Sequence, residues 1–316
     1  MLTRHDVGHR VVIRRALPVA EGRARFADVV GELLGVTRGE LSIRTTRGDV
    51  LIPHAEVDVA KRIPDQRPLS TTGRLERIAA AGWPAPDVSH LGDWVLRAAA
   101  GWTARGNSAL AIGHPDRPLP DAVDAVTAWY QSRDLQPAIM VPEPIGGRVT
   151  AELTSRGWRP DPALLVQTAD LGRLAVGPPA AADPPTVLLD PAPSATWLAL
   201  IAGYKGVLPD VALDIITGVP TARFAVVHAA DGAAIAAGRG VIAADGTWLG
   251  VSLLTVAPAA RRRGLATAVV AALVEWAVGA GATRAYLQVE QRNTGAVELY
   301  ERFGFSTHHR YLTWRP

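Results

Sequence analysis

The residues with the clearest chemical potential lie in one short segment, residues 261–267, which reads Arg-Arg-Arg-Gly-Leu-Ala-Thr. It joins a β-rich run that ends near Val256 to an apolar run that predicts a long helix. Backbone N–H groups at a helix start have no acceptor within the helix, and the helix dipole adds positive charge there. Gly264 has no Cβ to block a close approach, so the segment predicts a pyrophosphate-binding loop. An ordinary strand-loop-helix junction with solvated arginines is the alternative.

A second group of reactive side chains follows in residues 287–305, around the start of another predicted helix. Asn293 has the residue type of a helix N-cap. Tyr300 can donate a proton from its hydroxyl, and Glu290 can accept one.

Both segments resemble motifs of the GCN5-related N-acetyltransferases (GNATs). The first resembles their pyrophosphate motif, Gln/Arg-x-x-Gly-x-Gly/Ala, at Arg261, Gly264 and Ala266. The second resembles their closing signature at these positions: Asn293, Ala296, Leu299, Tyr300, Gly304 and Phe305. The resemblance covers residues 221–313, and it implies an acetyl-CoA-dependent N-acetyltransferase whose mixed sheet splays open to hold the cofactor.

The resemblance also implies where acetyl-CoA binds and how it reacts. The co-substrate would lie between the strand that ends near Val256 and the strand that ends near Val289. Tyr300 is in the position of the family's general acid, which protonates the departing thiolate. The cofactor-binding residues that we predict on this basis are Leu254, Val256, Arg261, Arg262, Arg263, Gly264, Leu265, Ala266, Thr267, Asn293 and Tyr300.

The general base has several candidates. Glu290, at the end of its predicted strand, is the one that we predict, although a solvated glutamate at a strand end fits the sequence as well. Asp214 is a second candidate, and Gln288 on the same face as Glu290 can only form hydrogen bonds. An amine that loses its proton to water needs no base at all.

Other side chains have a functional and a structural interpretation. Arg292 could neutralise a cofactor phosphate or lie exposed in solvent, while Trp197, Tyr204 and Trp248 could line an acceptor pocket or pack in a core. His308 and His309 suggest a metal site, but adjacent strand residues point to opposite faces. We therefore predict no metal.

The chain of 316 residues is about twice the usual ~150-residue domain, which favours two or three units. Residues 1–65 show short alternating runs separated by turns, which predicts a small SH3-like five-strand β-barrel. Residues 72–176 and 186–316 show mixed helix and strand patterns on either side of a proline-rich linker. The predicted fold class is α+β, with the GNAT fold in the last of three domains.

The middle domain repeats the element order of the last. We predict paired strands at 93–101 and 102–113 and a helix at 119–133, which suggests a degenerate GNAT-like half. Prolines stand where the Arg-x-x-Gly-x-Ala loop would be, so a second cofactor site is not expected. This half either buttresses the active half or walls the acceptor pocket through Arg97, Arg105 and Asn107. The layout resembles three-part bacterial acetyltransferases.

Composition excludes several functions. The chain has no cysteine, which excludes disulfides, thiolate metal sites and a cysteine nucleophile. Lys and Arg number 33 against 30 Asp and Glu, a net charge of +3 that predicts no basic field for nucleic acid. No signal sequence or membrane span is visible, so we expect a cytoplasmic protein; a homodimer is left open.

The predicted function is transfer of an acetyl group from acetyl-CoA directly to a primary amine of a small molecule, peptide or protein. A non-catalytic acyl-CoA sensor or scaffold, whose barrel docks a partner, is the alternative. Release of free thiol from acetyl-CoA would distinguish the enzyme from the sensor.

Overall fold

The computed structural model describes residues 2–20, 23–45, 48–62, 69–174, 185–243 and 246–316. These residues pack as two compact units, Met1–Pro68 and Leu69–Pro316. Each unit has its own buried apolar cluster. The predicted division into three domains, at 1–65, 72–176 and 186–316, stays a prediction.

The first unit is an antiparallel sheet of five strands. The strands are β1 (Arg10–Ala20), β2 (Arg23–Val36), β3 (Glu40–Thr45), β4 (Gly48–Pro53) and β5 (Val57–Arg62). Their order is β4-β3-β2-β1-β5, so the last strand returns to the first. Alternate side chains such as Val11 and Ile13 are fully buried, which is the period of two that the sequence shows.

The second unit contains two successive halves, which we call the amino half (residues 69–174) and the carboxyl half (residues 185–316). The amino half consists of α1 (Thr71–Ala81), β6 (Asp87–Leu91), β7 (Trp94–Ala98), β8 (Ala109–Leu110), α2 (Leu119–Gln131), β9 (Ile139–Pro142), α3 (Gly147–Ser155), β10 (Arg159–Pro160) and β11 (Leu164–Asp170). The carboxyl half consists of β12 (Leu188–Asp190), α4 (Ala195–Lys205), α5 (Asp210–Thr217), β13 (Ala222–His228), β14 (Ala234–Ala243), β15 (Trp248–Val256), α6 (Leu265–Gly279), β16 (Arg284–Glu290), α7 (Thr294–Phe303) and β17 (Ser306–Arg315).

The two halves share one sheet and exchange strands. The strand order is β12-β13-β14-β15-β16-β11-β17-β9-β8-β7-β6, with β10 paired to β17. β11 of the amino half therefore lies between β16 and β17, and β17 of the carboxyl half lies between β11 and β9. Each half pairs with a strand of the other, so neither half forms its part of the sheet by itself.

Helices cover both faces of this sheet. In the carboxyl half, α6 and α7 bury their apolar side chains with the strand residues Ala285, Leu287 and Val289. On the opposite face, α1 packs Leu75 and Ala79 against Val166 and Tyr286. No helix in the described ranges is both long and apolar enough to cross a bilayer.

The predicted pairing of 93–101 with 102–113 is confirmed only in part. β7 pairs with β6 along its length, and it pairs with the two-residue strand β8 through Val95 opposite Leu110, while a loop occupies most of the segment predicted as the second strand. The side chain of Asn107 fixes this loop. Its Oδ1 accepts the N–H groups of Ala99 and Gly101 at 2.8 and 2.9 Å, and its Nδ2 donates to the carbonyl of Trp102 at 2.8 Å. These bonds replace strand pairing, because the side chain satisfies the same backbone groups.

Candidate functional site

The sheet opens between β15 and β16. The two strands pair in parallel from Trp248 opposite Arg284 to Val251 opposite Leu287. Both strands continue beyond that last pair, to Val256 and Glu290, but the described pairing stops there. The strands therefore diverge at their carboxyl ends, as the resemblance implied. We call this gap the splay.

A bulge in β15 bends the strand at the splay. Arg239 of β14 pairs with Ser252 and Ala237 pairs with Thr255, so β15 has one more residue than β14 between these pairs. Leu253 lies in this stretch and has a positive φ of 53°. Because a bulge bends its strand and ends regular pairing, this local feature explains why β15 leaves β16.

The chain leads from the splay into the predicted phosphate loop. A 3₁₀ turn at Pro258–Ala260 follows β15, and α6 begins at Leu265 directly after Gly264. Gly264 has a φ of 75°, a conformation that favours glycine. A Cβ there would meet no protein atom within 4 Å, so the structure requires the glycine for its backbone conformation. The free N–H groups and the dipole of α6 make its start an anion-binding position.

The loop side chains divide between solvent and core. Arg261, Arg262 and Arg263 are exposed, and none of them forms an ion pair with a described residue. The side chain of Leu265 is 4% exposed and lies in the core of the carboxyl half, so only its backbone can face a ligand. The loop therefore presents main-chain donors surrounded by exposed guanidinium groups.

Tyr300 of α7 is a buried phenol beside the splay. It lies in the apolar cluster that also holds Val289, and Leu254 and Val256 pack against the same cluster. Its ring meets the edge of Phe305 at 6.0 Å. Burial raises the pKa of Tyr300 to about 12, so its hydroxyl keeps its proton at neutral pH. No described residue hydrogen-bonds this hydroxyl.

Asn293 and Glu290 have partners within the chain. The side chain of Asn293 is the N-cap of α7 and accepts the N–H of Ala296. The carboxylate of Glu290 pairs with Arg292 at 2.7 Å, and both side chains are exposed. Asp214, the second candidate base, is exposed on α5. The structure brings Glu290 close to the splay, since this residue ends β16.

The aromatic candidates lie in different places. Trp197 is fully buried, and its indole N–H donates to the carbonyl of Gly238 at 3.2 Å, so it is a core residue. Trp248 packs against Tyr286 at the opposite end of β15 from the splay. Tyr204 is 58% exposed at the end of α4 and contributes to the raised pKa of Tyr300. Only Tyr204 is positioned near the splay.

The prediction that His308 and His309 face opposite sides of β17 is wrong. Val166 pairs with His309 and Gln167 pairs with Thr307, so His308 is an extra residue that interrupts the alternation. The two Nδ1 atoms come within 2.9 Å, and His309 Nε2 lies 2.7 Å from the buried carboxylate of Glu76. Within the described residues, no three His, Asp or Glu side chains are grouped so that they could hold a metal ion.

The amino half reaches the splay through Arg105. Its guanidinium hydrogen-bonds to the side-chain oxygen of Gln288, the first residue of β16 beyond the last pair with β15. Arg97 and Asn107 have structural roles. Arg97 is fully buried and donates to the carbonyl and hydroxyl of Ser108, both at 3.1 Å.

Sequence reasoning missed two residues beside the splay, Trp83 and Arg239. Arg239 is fully buried and donates to the carbonyl of Ile216 at 2.7 Å and to that of Gly82 at 3.0 Å. Burial lowers the pKa of Arg239 to about 10. The sequence signal for Arg239 is that it is the one charged residue in the apolar strand β14.

A cavity of about 560 Å³ lies away from the splay. Trp248 and Arg284, the first paired residues of β15 and β16, line it together with residues of α1 and β17. The splay begins after the last pair of these strands. The cavity is therefore a separate feature at the other end of the strand pair.

Comparison with known proteins identifies the family. Residues 70–313 match the family described as "Probable histone acetyltransferase Rv0428c C-terminal". One relative is the probable histone acetyltransferase Rv0428c of Mycobacterium tuberculosis (strain ATCC 25618 / H37Rv). It is 33% identical over 323 aligned residues, which cover 99% of this chain and 97% of the relative.

Two solved structures share the fold. A GCN5-related N-acetyltransferase from Kribbella flavida has a TM-score of 0.58 at 17% identity, over 78% of this chain and 95% of that chain. A tandem GNAT protein from the clavulanic acid biosynthesis pathway has a TM-score of 0.54 at 16% identity, over 77% of this chain and 87% of that chain. The GNAT resemblance seen in the sequence is confirmed. The chain belongs to the Rv0428c acetyltransferase family, and it is an N-acetyltransferase with the GNAT fold.

Proposed function

We propose that this chain transfers the acetyl group of acetyl-CoA directly to a primary amine of a small molecule, peptide or protein. The observation that carries the proposal is the splay together with the helix start next to it in the chain. The diverging strands leave backbone groups of β15 without strand partners from β16, and β15 then runs into an anion-binding helix start. A long ligand with an amide-bearing arm and a pyrophosphate matches this sequence of features, because the amides can pair with the backbone groups of β15.

The residues around the splay fit this cofactor. Backbone groups of Leu254 and Val256 would hold the pantetheine arm, and the N–H groups from Arg262 to Thr267 would bind the pyrophosphate. The exposed arginines 261–263 would add charge to the phosphates. Asn293 would bind from the start of α7 while it remains the N-cap. Acetyl-CoA supplies the activated thioester when it is bound.

Tyr300 is the general acid of the proposal. The role requires a hydroxyl that is protonated at neutral pH, and the phenol meets this requirement, although burial raises its pKa to about 12 and so makes it a weaker acid. Leu254 and Val256 pack against the cluster that contains Tyr300, which supports a position of its hydroxyl near the thioester end of the arm.

Glu290 remains our proposed base. Its carboxylate is at the end of β16, and its ion pair with Arg292 is exposed and therefore weak enough to open. An amine that loses its proton to water would make Glu290 dispensable. We also propose that the first unit is the predicted SH3-like barrel and that the amino half is a degenerate GNAT copy. A cytoplasmic location and a homodimer stay predictions.

The replacement Tyr300→Phe tests the function. We expect turnover, followed as free thiol with a panel of amines, to fall about 10²-fold or more because the acid is lost. Calorimetry should show acetyl-CoA affinity nearly unchanged. Tyr311→Phe, at a buried tyrosine packed near α1, is the matched control and should change neither value.

Three outcomes would count against the proposal. Equal losses of binding and turnover would remove the assigned role from Tyr300, and unchanged turnover would do the same. Tight binding of acetyl-CoA by the unmodified protein, with no turnover on any amine, would favour the sensor or scaffold.

A further inference from the structure

The loop of the amino half between β7 and β8 lies across the splay. Arg105, on this loop, contacts Gln288 of β16 just past the point where β16 leaves β15. On the other strand, the bulge residue Leu253 packs in one cluster with Trp102 of the same loop. The amino half therefore contacts both strands at the position where they diverge.

Arg105 is held in place by aromatic side chains. Its guanidinium lies 4.4 Å from the centroid of the Trp83 ring. Trp83 is 2% exposed, stacks on Trp102 at 5.5 Å, and donates its indole N–H to the hydroxyl of Thr103 at 3.2 Å. Such a stacked guanidinium is oriented with little remaining freedom, so its unused N–H groups point in a fixed direction.

The support for Trp83 comes from the carboxyl half. Arg239 donates to the carbonyl of Gly82, the residue before Trp83, at 3.0 Å. A Cβ on Gly82 would overlap the hydroxyl of Tyr286, so the glycine lets this turn pack directly against the end of the Tyr286 side chain. The buried Arg239 thus fixes the turn that presents Trp83, and Trp83 fixes Arg105.

The charge around Arg105 is positive. No Asp or Glu forms an ion pair with Arg105 in the described part of the chain. Burial and then the charge of Arg105 lower the pKa of the ammonium group of Lys205 on α4, while the carboxylate of Glu290 acts in the opposite direction but more weakly. Glu290 faces the same region, but its carboxylate is paired with Arg292.

A further donor at this position has no partner. The Nε2 atom of Gln288 is buried and makes no hydrogen bond within the described structure, although its Oε1 accepts from Arg105. An unmet donor in a protein interior costs free energy unless something binds it. Arg105 and Gln288 thus place oriented N–H donors next to each other. No carboxylate of the described residues is bound to these donors.

We propose that the acceptor is an amino-carboxylate, such as a free amino acid, whose carboxylate binds Arg105 and Nε2 of Gln288. This inference rests on the proposed function and names its substrate class. A carboxylate matches the fork of a guanidinium, and it would accept from the remaining N–H groups of Arg105 and from Nε2 of Gln288. Polyamines and lysine-rich peptides would bring further positive charge toward Arg105 and Lys205, so they are disfavoured.

Matched acceptors test the inference. Pairs that differ only in the carboxylate, such as L-lysine with cadaverine and L-phenylalanine with phenethylamine, are compared by free-thiol release. We expect the carboxylate member to have a kcat/KM at least 10-fold higher. Arg105→Gln should raise KM for the carboxylate acceptors about 10- to 100-fold, the range for a lost charged hydrogen bond. Its kcat and its acetyl-CoA affinity should stay nearly unchanged.

Controls separate recognition from folding. Arg105→Lys keeps the charge and should restore part of the lost affinity. Arg117→Gln, at an exposed arginine of the amino half that has no described ion pair, should change nothing. Thermal melting of each variant checks that it is folded. A preference for cadaverine or phenethylamine, or equal loss of both members in Arg105→Gln, would overturn the inference.

A second measurement keeps this test independent of turnover. Calorimetry of the same pairs with the CoA-loaded protein should show binding of the amino acids and weaker binding in Arg105→Gln. Absence of amino-acid binding would overturn the inference even if other amines are acetylated. Amino-acid binding without any turnover would support the carboxylate site and count against the proposed transfer reaction.

Discussion

The two halves of the second unit each contain a parallel strand pair, and the loops that follow the first strand of each pair differ. In the amino half, β8 pairs with β9 at Ala109–Leu110, and α2 then begins. Pro118 is its N-cap and Pro120 lies in its first turn, where Asp121 adds a negative charge. Proline has no N–H to donate, so this helix start is a poor position for an anion.

In the carboxyl half, the corresponding helix α6 follows Gly264 and has no acidic residue in its first turn. Its strand β15 has nine residues where β8 has two, and it carries the bulge that opens the splay. The same strand-loop-helix order therefore produces two different helix starts, of which only that of α6 suits an anion. A few residues at a helix start and one extra residue in a strand make the difference.

The two halves differ at their helix starts, but they depend on each other for stability. β11 of the amino half pairs along seven positions with β16, and β17 of the carboxyl half pairs with β9. A half that loses its partner would therefore expose the edges of its sheet. We expect the halves to differ in ligand binding but to unfold together.

The largest effect is expected from Gly264→Glu, which removes the chemical difference between the halves. The substitution forces a side chain onto a residue with φ of 75° and puts a negative charge at the anion-binding helix start. Affinity for acetyl-CoA in calorimetry should fall more than about 100-fold, a change of about 2.7 kcal/mol or more. Arg117→Glu puts the same carboxylate before α2, with a larger change in charge because an arginine is lost, and should leave affinity unchanged. Equal effects of the two changes would mean that the loop of α6 is not the cofactor site.

The shared stability is tested by Leu153→Ala in the amino half. Leu153 of α3 is fully buried, and such truncations cost about 2–5 kcal/mol. Hydrogen exchange should show amides of β14 and β15 losing protection to the same extent as those of β7 and β9. Leu213→Ala, at a residue of α5 that is 41% exposed, is the control and should cost much less. Loss of protection confined to residues 69–174 would show that the halves unfold separately.

Local features of the site could be predicted from the sequence. The start of α6 after Gly264 and the N-cap role of Asn293 depend on residues within a few positions of each other. Tyr300 lies in the helix that Asn293 caps, so its spacing from Asn293 can also be read from the sequence. In each case the determining contacts are between near neighbours in the chain.

Features that depend on distant segments could not be predicted. Arg105 and Gln288 are 183 positions apart, and nothing in either segment specifies the other. The exchange of β11 and β17 is hidden for the same reason, because strands with similar apolar alternation can pair in several orders. The loop after β7 is held by four hydrogen bonds of the Asn107 side chain, a role that the residue type alone does not predict.

The smallest effect is expected from Ala266→Pro, which introduces into α6 the first-turn proline of α2. The substitution measures how much this proline contributes to the difference in anion binding between the two helix starts. Ala266 is the second residue of α6, as Pro120 is of α2, and proline is tolerated in a first helical turn. The helix should remain intact while one N–H at the proposed pyrophosphate position is lost. A charge-assisted hydrogen bond contributes about 1.5–3 kcal/mol, so acetyl-CoA affinity should fall about 10- to 100-fold with an unchanged melting temperature. Ala266→Ser keeps the N–H at similar size and should bind normally. If the proline variant binds as well as the serine variant, the main-chain donors of α6 do not hold the cofactor, and the difference between the halves lies in the splay alone.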